Sequence, residues 1–248
     1  MKVKVKVFKF NPGTDAKPYY KTYEVPYSEG LSVLEAVRYI NDFLEPLAFD
    51  YVCHQAGCGL CAMRINGGAS LACATPIVKD KENVIEPLEG FRVIRDLFID
   101  REELRAKVMS IQPWFTREEP MTKPENMPID NYLKTGVAQM CRDCFMCHSE
   151  CPAIKEYGFE NYSGPYILTR IASRYFDTRE GCQDERLKSA VREGLFNCMQ
   201  CGRCEEICPA GDIVEVKGWV HLQHPKLFKE MMNDAEKKGL KPSKTMND

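Results

Sequence analysis

The sequence contains no long apolar run, and no stretch approaches the roughly 18 to 20 apolar residues that a membrane-spanning helix needs. It also lacks a G-x-G-x-x-G loop, so we do not expect this chain to bind a dinucleotide such as a flavin itself. Its net charge of −2 excludes a strong overall attraction to nucleic acid or anionic lipid. Because Met1 leads directly into a charged strand pattern, we expect neither a signal peptide nor a transit peptide.

Cysteine, in contrast, is abundant, with 13 residues in a chain of 248. An odd number fits a disulfide framework poorly, and in the expected reducing compartment cysteines bind metal more often than they pair. Twelve of the 13 fall by their spacing into three sets of four. The sets are Cys53, Cys58, Cys61 and Cys73; Cys141, Cys144, Cys147 and Cys151; and Cys198, Cys201, Cys204 and Cys208. The remaining cysteine, Cys182, has no partner at such a spacing and is expected to be unliganded.

The first set has the C-x4-C-x2-C spacing of a plant-type [2Fe–2S] site, with Cys73 as the distant fourth ligand. Gly57 and Gly59 suit a loop that wraps tightly around inorganic sulfide and points N–H groups at the cluster. A structural zinc site is the alternative, but zinc favours paired C-x2-C knuckles. His54 resembles a Rieske ligand; since four cysteines already complete the site, we expect it to be a surface histidine or one that supports a ligand.

The second and third sets each have the run C-x2-C-x2-C-x3-C-P. In two-cluster ferredoxins the fourth cysteine of each run binds the cluster of the other run. The predicted ligand sets are therefore Cys141, Cys144, Cys147 and Cys208 for a [4Fe–4S] cluster, and Cys151, Cys198, Cys201 and Cys204 for a third cluster. This exchange couples cluster binding to folding, because it holds two distant segments together. Two independent zinc sites would not require the duplicated run.

The first hundred residues have the pattern of a mixed α/β unit. Alternating apolar residues predict strands over Val3–Val7 and Tyr20–Val25. Ser32–Glu35 is a capping box at the start of a helix. Asn66-Gly67 predicts a hairpin turn, and Val84-Ile85 predicts the final strand. This order of elements is typical of the β-grasp sheet of plant-type ferredoxins.

After Pro87 the pattern becomes mostly helical. The predicted helices are Arg92–Asp96, Glu102–Met109, Tyr166–Arg174 and Glu185–Leu195. The proline-rich stretch Glu118–Asn131 is predicted to be irregular, and the polar tail Ala235–Asp248 to fray. The predicted fold class is therefore α+β, with a β-grasp [2Fe–2S] ferredoxin domain over residues 1–104 and a mostly helical two-cluster ferredoxin domain over residues 105–248.

Together these residues resemble the iron–sulfur subunit of succinate dehydrogenase and quinol:fumarate reductase over nearly the whole chain. The matching stretches are Phe8–Pro12, Cys53–Met63, Ile65–Gly67, Leu71–Cys73, Val93–Leu97, Pro113-Trp114 and the two cysteine runs. The resemblance implies a subunit that moves single electrons and has no catalytic residue of its own. It implies an FAD-containing catalytic subunit docked near the [2Fe–2S] domain.

The same resemblance implies a membrane-anchor subunit near the third cluster, which holds the quinone and can hold haem b. Electrons then pass through the three clusters between the succinate/fumarate couple at the flavin and the quinone. The chain is expected on the cytoplasmic side of the cell membrane as a peripheral protein held by its partners, with no nucleic-acid partner. The direction of the reaction does not follow from the spacing of the cysteines.

Two departures from the family pattern concern the third cluster. Where the family usually has an apolar residue or serine, this chain has Cys201, and the usual cluster there is [3Fe–4S]. The extra thiol favours a second [4Fe–4S] cluster, with [3Fe–4S] as the alternative if Cys201 points away. The chain also lacks the family's quinone-site tryptophan after Pro152. Lys155 and Lys217 are candidates for hydrogen bonding to a quinone, although an exposed lysine is more often only a solvated charge.

These departures keep a second hypothesis open, in which the flavin partner is retained but a soluble thiol or heterodisulfide module replaces the membrane quinone. A third hypothesis, from another class, is a redox-inert interaction module held together by zinc. Metal analysis distinguishes it from the first two, because zinc without iron or acid-labile sulfide would establish it.

Overall fold

The computed structural model describes residues 1–117, 120, 125–210 and 223–242. The chain divides into two compact units. The first contains Met1–Arg101 and Arg142–Glu150, and the second contains the described residues of Glu102–Cys141 and Cys151–Asp248. The domain boundary between residues 104 and 105 stays a prediction. Within the described ranges, no helix combines the length and the apolar character needed to span a bilayer.

The first unit is built on a five-stranded mixed sheet with the order β2-β1-β5-β3-β4. Its strands are β1 (Lys2–Lys9), β2 (Tyr19–Pro26), β3 (Ala62–Ile65), β4 (Gly68–Leu71) and β5 (Asn83–Glu86). Strand β1 is antiparallel to β2 and parallel to β5, and β3 is antiparallel to both β4 and β5. Val3, Val5 and Val7 are buried, as their alternation predicts. The mixed sheet confirms the first half of the predicted fold class.

Helix α1 (Val33–Tyr39) begins at the predicted capping box. The Ser32 hydroxyl accepts a hydrogen bond from the N–H of Glu35, whose carboxylate accepts one from the N–H of Ser32. One turn of π-helix, Ile40–Leu44, continues it. The N–H of Leu34 donates to the Ala72 carbonyl at 2.9 Å. The start of the helix is thereby tied to the residue before Cys73.

The Asn66-Gly67 turn is confirmed between β3 and β4, with φ values of 51° and 90° that suit a type I′ hairpin. The helix predicted over Arg92–Asp96 is wrong. These residues include strand β6 (Val93–Arg95), which pairs with β7 (Phe98–Ile99). The turn between them is fixed by distant partners, because the buried Asp96 carboxylate accepts hydrogen bonds from the N–H groups of Phe10 and Ala48 at 3.1 Å each.

The second unit is helical in its described part. Its helices are α2 (Glu102–Ser110), α3 (Ile129–Gln139), α5 (Pro152–Tyr157), α6 (Gly164–Tyr175), α7 (Gln183–Arg192), α8 (Arg203–Glu206) and α9 (His224–Lys237); the short α4 (Met146–Ser149) belongs to the first unit. The helices predicted over Glu102–Met109, Tyr166–Arg174 and Glu185–Leu195 are confirmed in place. The last of these ends at Arg192, and a 3-10 turn, Leu195–Asn197, follows Gly194 at φ 84°.

Two predictions on this unit need correction. Glu118–Asn131 is not irregular to its end, because α3 begins at Ile129; residues 118, 119 and 121–124 lie outside the described residues. The tail does not fray from Ala235. That residue is fully buried on the apolar face of α9, with Phe228 and Met231, and the helix continues to Lys237. Residues 243–248 lie outside the described residues.

Candidate metal centres

The first cysteine set lies on a loop whose backbone curls around its own thiols. His54, Ala56 and Gly59 have φ values of 57°, 57° and 74°, in the left-handed region that turns a chain sharply. The turns direct consecutive N–H groups to one side. Such a run of inward-facing donors forms a concave surface for a negatively charged group.

These donors point at sulfur. The N–H groups of Gly57 and Cys58 donate to the Cys53 thiol at 3.1 and 3.2 Å, and the N–H of Gln55 does so at 3.5 Å. The N–H of Ala56 donates to the Cys73 thiol at 3.2 Å. Backbone hydrogen bonds to ligand sulfurs stabilise the thiolate form that iron requires.

Burial and hydrogen bonding shift the pKa values of the thiols in this set in opposite directions. Hydrogen bonds from the backbone, that of Gln55 above all, lower the pKa of Cys53 to about 7. Burial raises the pKa of Cys61 to about 12, with Cys73 and Cys58 as further influences. Cys53 thus interacts with Cys58, and Cys61 interacts with Cys58 and Cys73, so the structure brings the four thiols of the predicted [2Fe–2S] set together.

A segment far along the chain supports this loop. The Arg142 guanidinium donates to the Ala56 carbonyl at 2.6 Å, and the Arg101 guanidinium donates to the Leu60 carbonyl at 3.0 Å. No sequence pattern indicates the first contact, because 86 residues separate its partners. Arg142–Glu150 belongs to the first unit, and it carries Cys144 and Cys147, both buried.

Of the second predicted set, Cys141 and Cys208 belong to the second unit. Burial raises the pKa of the Cys141 thiol to about 11; the charge of Arg170 opposes that rise and the charge of Cys208 adds to it. Cys141 and Cys208 therefore lie close enough to influence each other. The assignment of Cys141, Cys144, Cys147 and Cys208 to one cluster stays a prediction.

The third predicted set lies around one small cavity in the second unit. Cys151, Cys198, Cys201 and Cys204 all line it. Cys151 is buried and Cys201 is exposed, so the cavity has one covered side and one side open to solvent. Cys201 lines the same cavity, and its charge adds to the rise in the pKa of the Cys151, Cys198 and Cys204 thiols.

Non-cysteine side chains complete this cavity, and sequence patterns indicate few of them. Tyr162, which is 1% exposed, lines it together with Cys198, and the phenol and that thiol influence each other's pKa. The amide of Gln200 donates to the same sulfur at 3.5 Å. No local motif surrounds Tyr162, so only its place in the fold identifies it. Burial raises the pKa of the Cys151, Cys198 and Cys204 thiols.

These arrangements fit iron–sulfur clusters, since each gathered set offers four thiols and N–H or side-chain donors to sulfur. Within the ranges that the structure describes, no three His, Cys, Asp or Glu side chains converge on a position for one metal ion. His54 is exposed and stacks edge-on with Tyr51, as expected for a surface histidine.

Two further candidates that the structure describes, Lys155 and Cys182, do not line the third cavity. Lys155 is exposed on α5. Lys217 lies outside the described residues. Cys182 belongs to none of the three sets, and its thiol donates to the Glu180 carboxylate at 3.1 Å.

Each half of the chain matches a known protein family. Residues 4–106 match the family described as "2Fe-2S iron-sulfur cluster binding domain", and residues 137–211 match "4Fe-4S dicluster domain". Among solved structures, a chain of the Mycobacterium smegmatis Sdh1 complex in the apo form shares the fold. Its TM-score is 0.78 at 24% identity, and the match covers 98% of this chain and 99% of that one.

Two curated relatives illustrate the similarity. A subunit of the "Fumarate reductase (CoM/CoB)" of Methanothermobacter marburgensis is 37% identical over 222 residues, which is 86% of this chain and 43% of the relative. "Fumarate reductase iron-sulfur subunit" of Mycobacterium tuberculosis is 32% identical over 219 residues, 85% of this chain and 87% of the relative. The chain thus spans less than half of the first relative and most of the second.

Proposed function

This chain belongs to the family of fumarate reductase iron–sulfur subunits, and from that premise we propose that it carries single electrons between a flavin-containing catalytic partner and a quinone site on a membrane-anchor partner. The partner's reaction interconverts succinate and fumarate. The chain itself contributes no residue to that chemistry, and it associates peripherally with the cytoplasmic face of the membrane through its partners.

The observation that carries the proposal is the grouping of the thiols into sets, with hydrogen-bond donors that point at their sulfur atoms. Four N–H bonds reach Cys53 and Cys73 in the first loop, and four thiols surround one cavity in the second unit. Iron–sulfur clusters supply one-electron oxidation and reduction when bound. The chain's own residues provide thiolate ligands, aim donors at sulfur, and exclude water from the buried ligands.

The proposed ligand sets keep the sequence-based assignment. Cys53, Cys58, Cys61 and Cys73 hold [2Fe–2S]; Cys141, Cys144, Cys147 and Cys208 hold [4Fe–4S]; Cys151, Cys198, Cys201 and Cys204 hold the third cluster. The third is proposed as [4Fe–4S], because Cys201 lines the same cavity as the other three thiols. Lys155 and Lys217 remain candidates for contact with a quinone.

A second candidate function replaces the membrane quinone by a soluble thiol or heterodisulfide partner. Two observations favour it: a relative named for CoM/CoB is 37% identical, and Cys201 exposes a thiol at the open side of the third cavity. The two functions differ in the acceptor and share the flavin partner and the clusters.

Purification of the native complex with oxygen excluded tests both. We expect about nine or ten iron atoms per chain, depending on the third cluster, with about ten acid-labile sulfides in either case, and an FAD-containing partner. A co-purifying membrane subunit with quinone or haem supports the first function, and a cysteine-rich soluble partner supports the second. A colourless complex containing zinc and no sulfide would overturn both.

A further inference from the structure

Tyr162 is placed to influence the third cluster without binding it. Its side chain is 1% exposed and lines the cavity of Cys151, Cys198 and Cys204, where its hydroxyl and the Cys198 thiol influence each other's pKa. A phenol keeps its proton at neutral pH, and a ligand thiolate can only accept. In a hydrogen bond between these two groups, the hydroxyl of Tyr162 is therefore the donor.

The fold holds this phenol in place through its backbone. The N–H of Tyr162 donates to the Gly158 carbonyl at 3.0 Å, and the side chain of Asn197 donates to the Asn161 carbonyl at 3.0 Å. Gly194 packs so closely that a Cβ atom there would overlap the Asn161 carbonyl and lie 3.0 Å from the Tyr162 Cα. The segment that leads to Cys198 is thereby fixed against the segment that carries the phenol.

Cys198 already accepts a hydrogen bond from one side chain. The amide of Gln200 donates to its sulfur at 3.5 Å. Gln200 follows Cys198 in the sequence, whereas Tyr162 precedes it. Adding an electron to a cluster increases its negative charge, so a hydrogen bond to its sulfur stabilises the reduced form more than the oxidised form. A donor at Cys198 consequently raises the reduction potential of the third cluster.

We propose that Tyr162 is a positioning residue that raises the reduction potential of the third cluster by donating a hydrogen bond to Cys198. This inference rests on the proposed function, because it requires a cluster bound by Cys198. It holds for either cluster type, since the bond involves a ligand that both types share.

The test is Tyr162→Phe in the native complex, with each cluster's midpoint potential measured by EPR-monitored redox titration. The ring remains and only the hydroxyl is lost. We expect the equilibrium constant for reduction of the third cluster to fall by up to about tenfold, equivalent to about 59 mV for one electron. The other two clusters keep their potentials. Tyr175→Phe is the matched control, because its hydroxyl bonds to Asp234 at 2.9 Å and does not line the cavity.

An unchanged third midpoint in Tyr162→Phe overturns the inference, and so does an equal shift of all three midpoints, which would indicate a general structural effect. If the variant loses the cluster, the wild-type complex containing 3-fluorotyrosine decides. A more acidic phenol donates more strongly, so the third midpoint must rise, and an unchanged value overturns the inference. Absence of the third cluster from the unmodified wild type would instead contradict the proposed function.

Discussion

Gly59 lies directly against the backbone of Arg142. A Cβ atom on Gly59 would be 2.6 Å from the Arg142 carbonyl oxygen and 2.7 Å from the Cβ of Cys144. Gly59 also has φ at 74°, where a side chain is strained. The glycine beside Cys58 is thus required by a second segment of the same unit as well as by the loop itself.

Gly59→Ala should therefore displace the [2Fe–2S] loop. The positive φ costs about 1 kcal/mol, and overpacking against backbone adds about 1–3 kcal/mol. We expect reduced [2Fe–2S] occupancy, measured by visible circular dichroism and by EPR of the reduced protein. Gly90→Ala is the control, because Gly90 has φ at 84° but nothing within 4 Å of its Cβ position. Equal occupancy in the two variants would contradict the close approach.

Lys9→Met should destabilise the first unit strongly. Lys9 pairs with Asp96 at 3.3 Å, and their side chains are 7% and 3% exposed. Removing the ammonium leaves the buried carboxylate with only the half-exposed Arg95, 3.8 Å away, as counter-charge, which costs up to about 3–5 kcal/mol. We expect the thermal midpoint, followed by the visible circular dichroism of the [2Fe–2S] centre, to fall by roughly 10 °C.

The matched control for that substitution is Lys2→Met. Lys2 pairs with Glu24 at 3.1 Å, but their side chains are 64% and 61% exposed, so the pair contributes less than about 1 kcal/mol. Similar midpoints for the two lysine variants would show that burial does not strengthen the Lys9 pair.

The parts of the structure that sequence patterns predict are set by neighbours in the chain. The alternation of Val3–Val7, the capping box of Ser32 and the Asn66-Gly67 turn each depend on residues a few positions apart. The same holds for the cysteine runs, because a metal centre requires its ligands at characteristic short spacings in the sequence.

The parts that sequence patterns miss depend on distant contacts. The sequence predicts a helix where strand β6 lies. The prediction fails because the turn after β6 is fixed by Asp96, which accepts hydrogen bonds from the distant Phe10 and Ala48. Arg142 and Tyr162 escape prediction for the same reason, since neither belongs to a motif and each acts on a segment far along the chain. Spacing identifies ligands but not the donors that surround them.

Cys201→Ser should convert the third cluster from [4Fe–4S] to [3Fe–4S]. Cys201 lines the same cavity as Cys151, Cys198 and Cys204, and serine is a poorer iron ligand than a thiolate. The measurement is low-temperature EPR of the air-oxidised complex, where a [3Fe–4S] signal should appear only in the variant. Cys182→Ser is the control, because Cys182 bonds to Glu180 away from every set. A stoichiometric [3Fe–4S] signal in the wild type that resists reconstitution with iron would contradict the assignment.

The guanidinium of Arg186 holds the segment that precedes α3. It donates to the carbonyls of Ile111, Gln112 and Trp114 at 3.0, 2.6 and 2.7 Å, and it pairs with Glu180 at 3.2 Å. The two charged side chains are 6% and 0% exposed. Such a planar group can serve several acceptors at once, which an ammonium cannot do in the same geometry.

Arg186→Met should therefore open residues 111–117, because three carbonyls lose their donor and Glu180 stays buried without a counter-charge. The expected loss is about 3–5 kcal/mol, observed as faster hydrogen exchange and proteolysis in that segment. Arg186→Lys should restore only part of the protection, because the charge of a lysine does not replace the several donors of the planar guanidinium. Lys188→Met, which removes an exposed pair with Glu185, should leave the segment unchanged. Full protection in Arg186→Lys would show that the charge of residue 186, and not its shape, holds the segment.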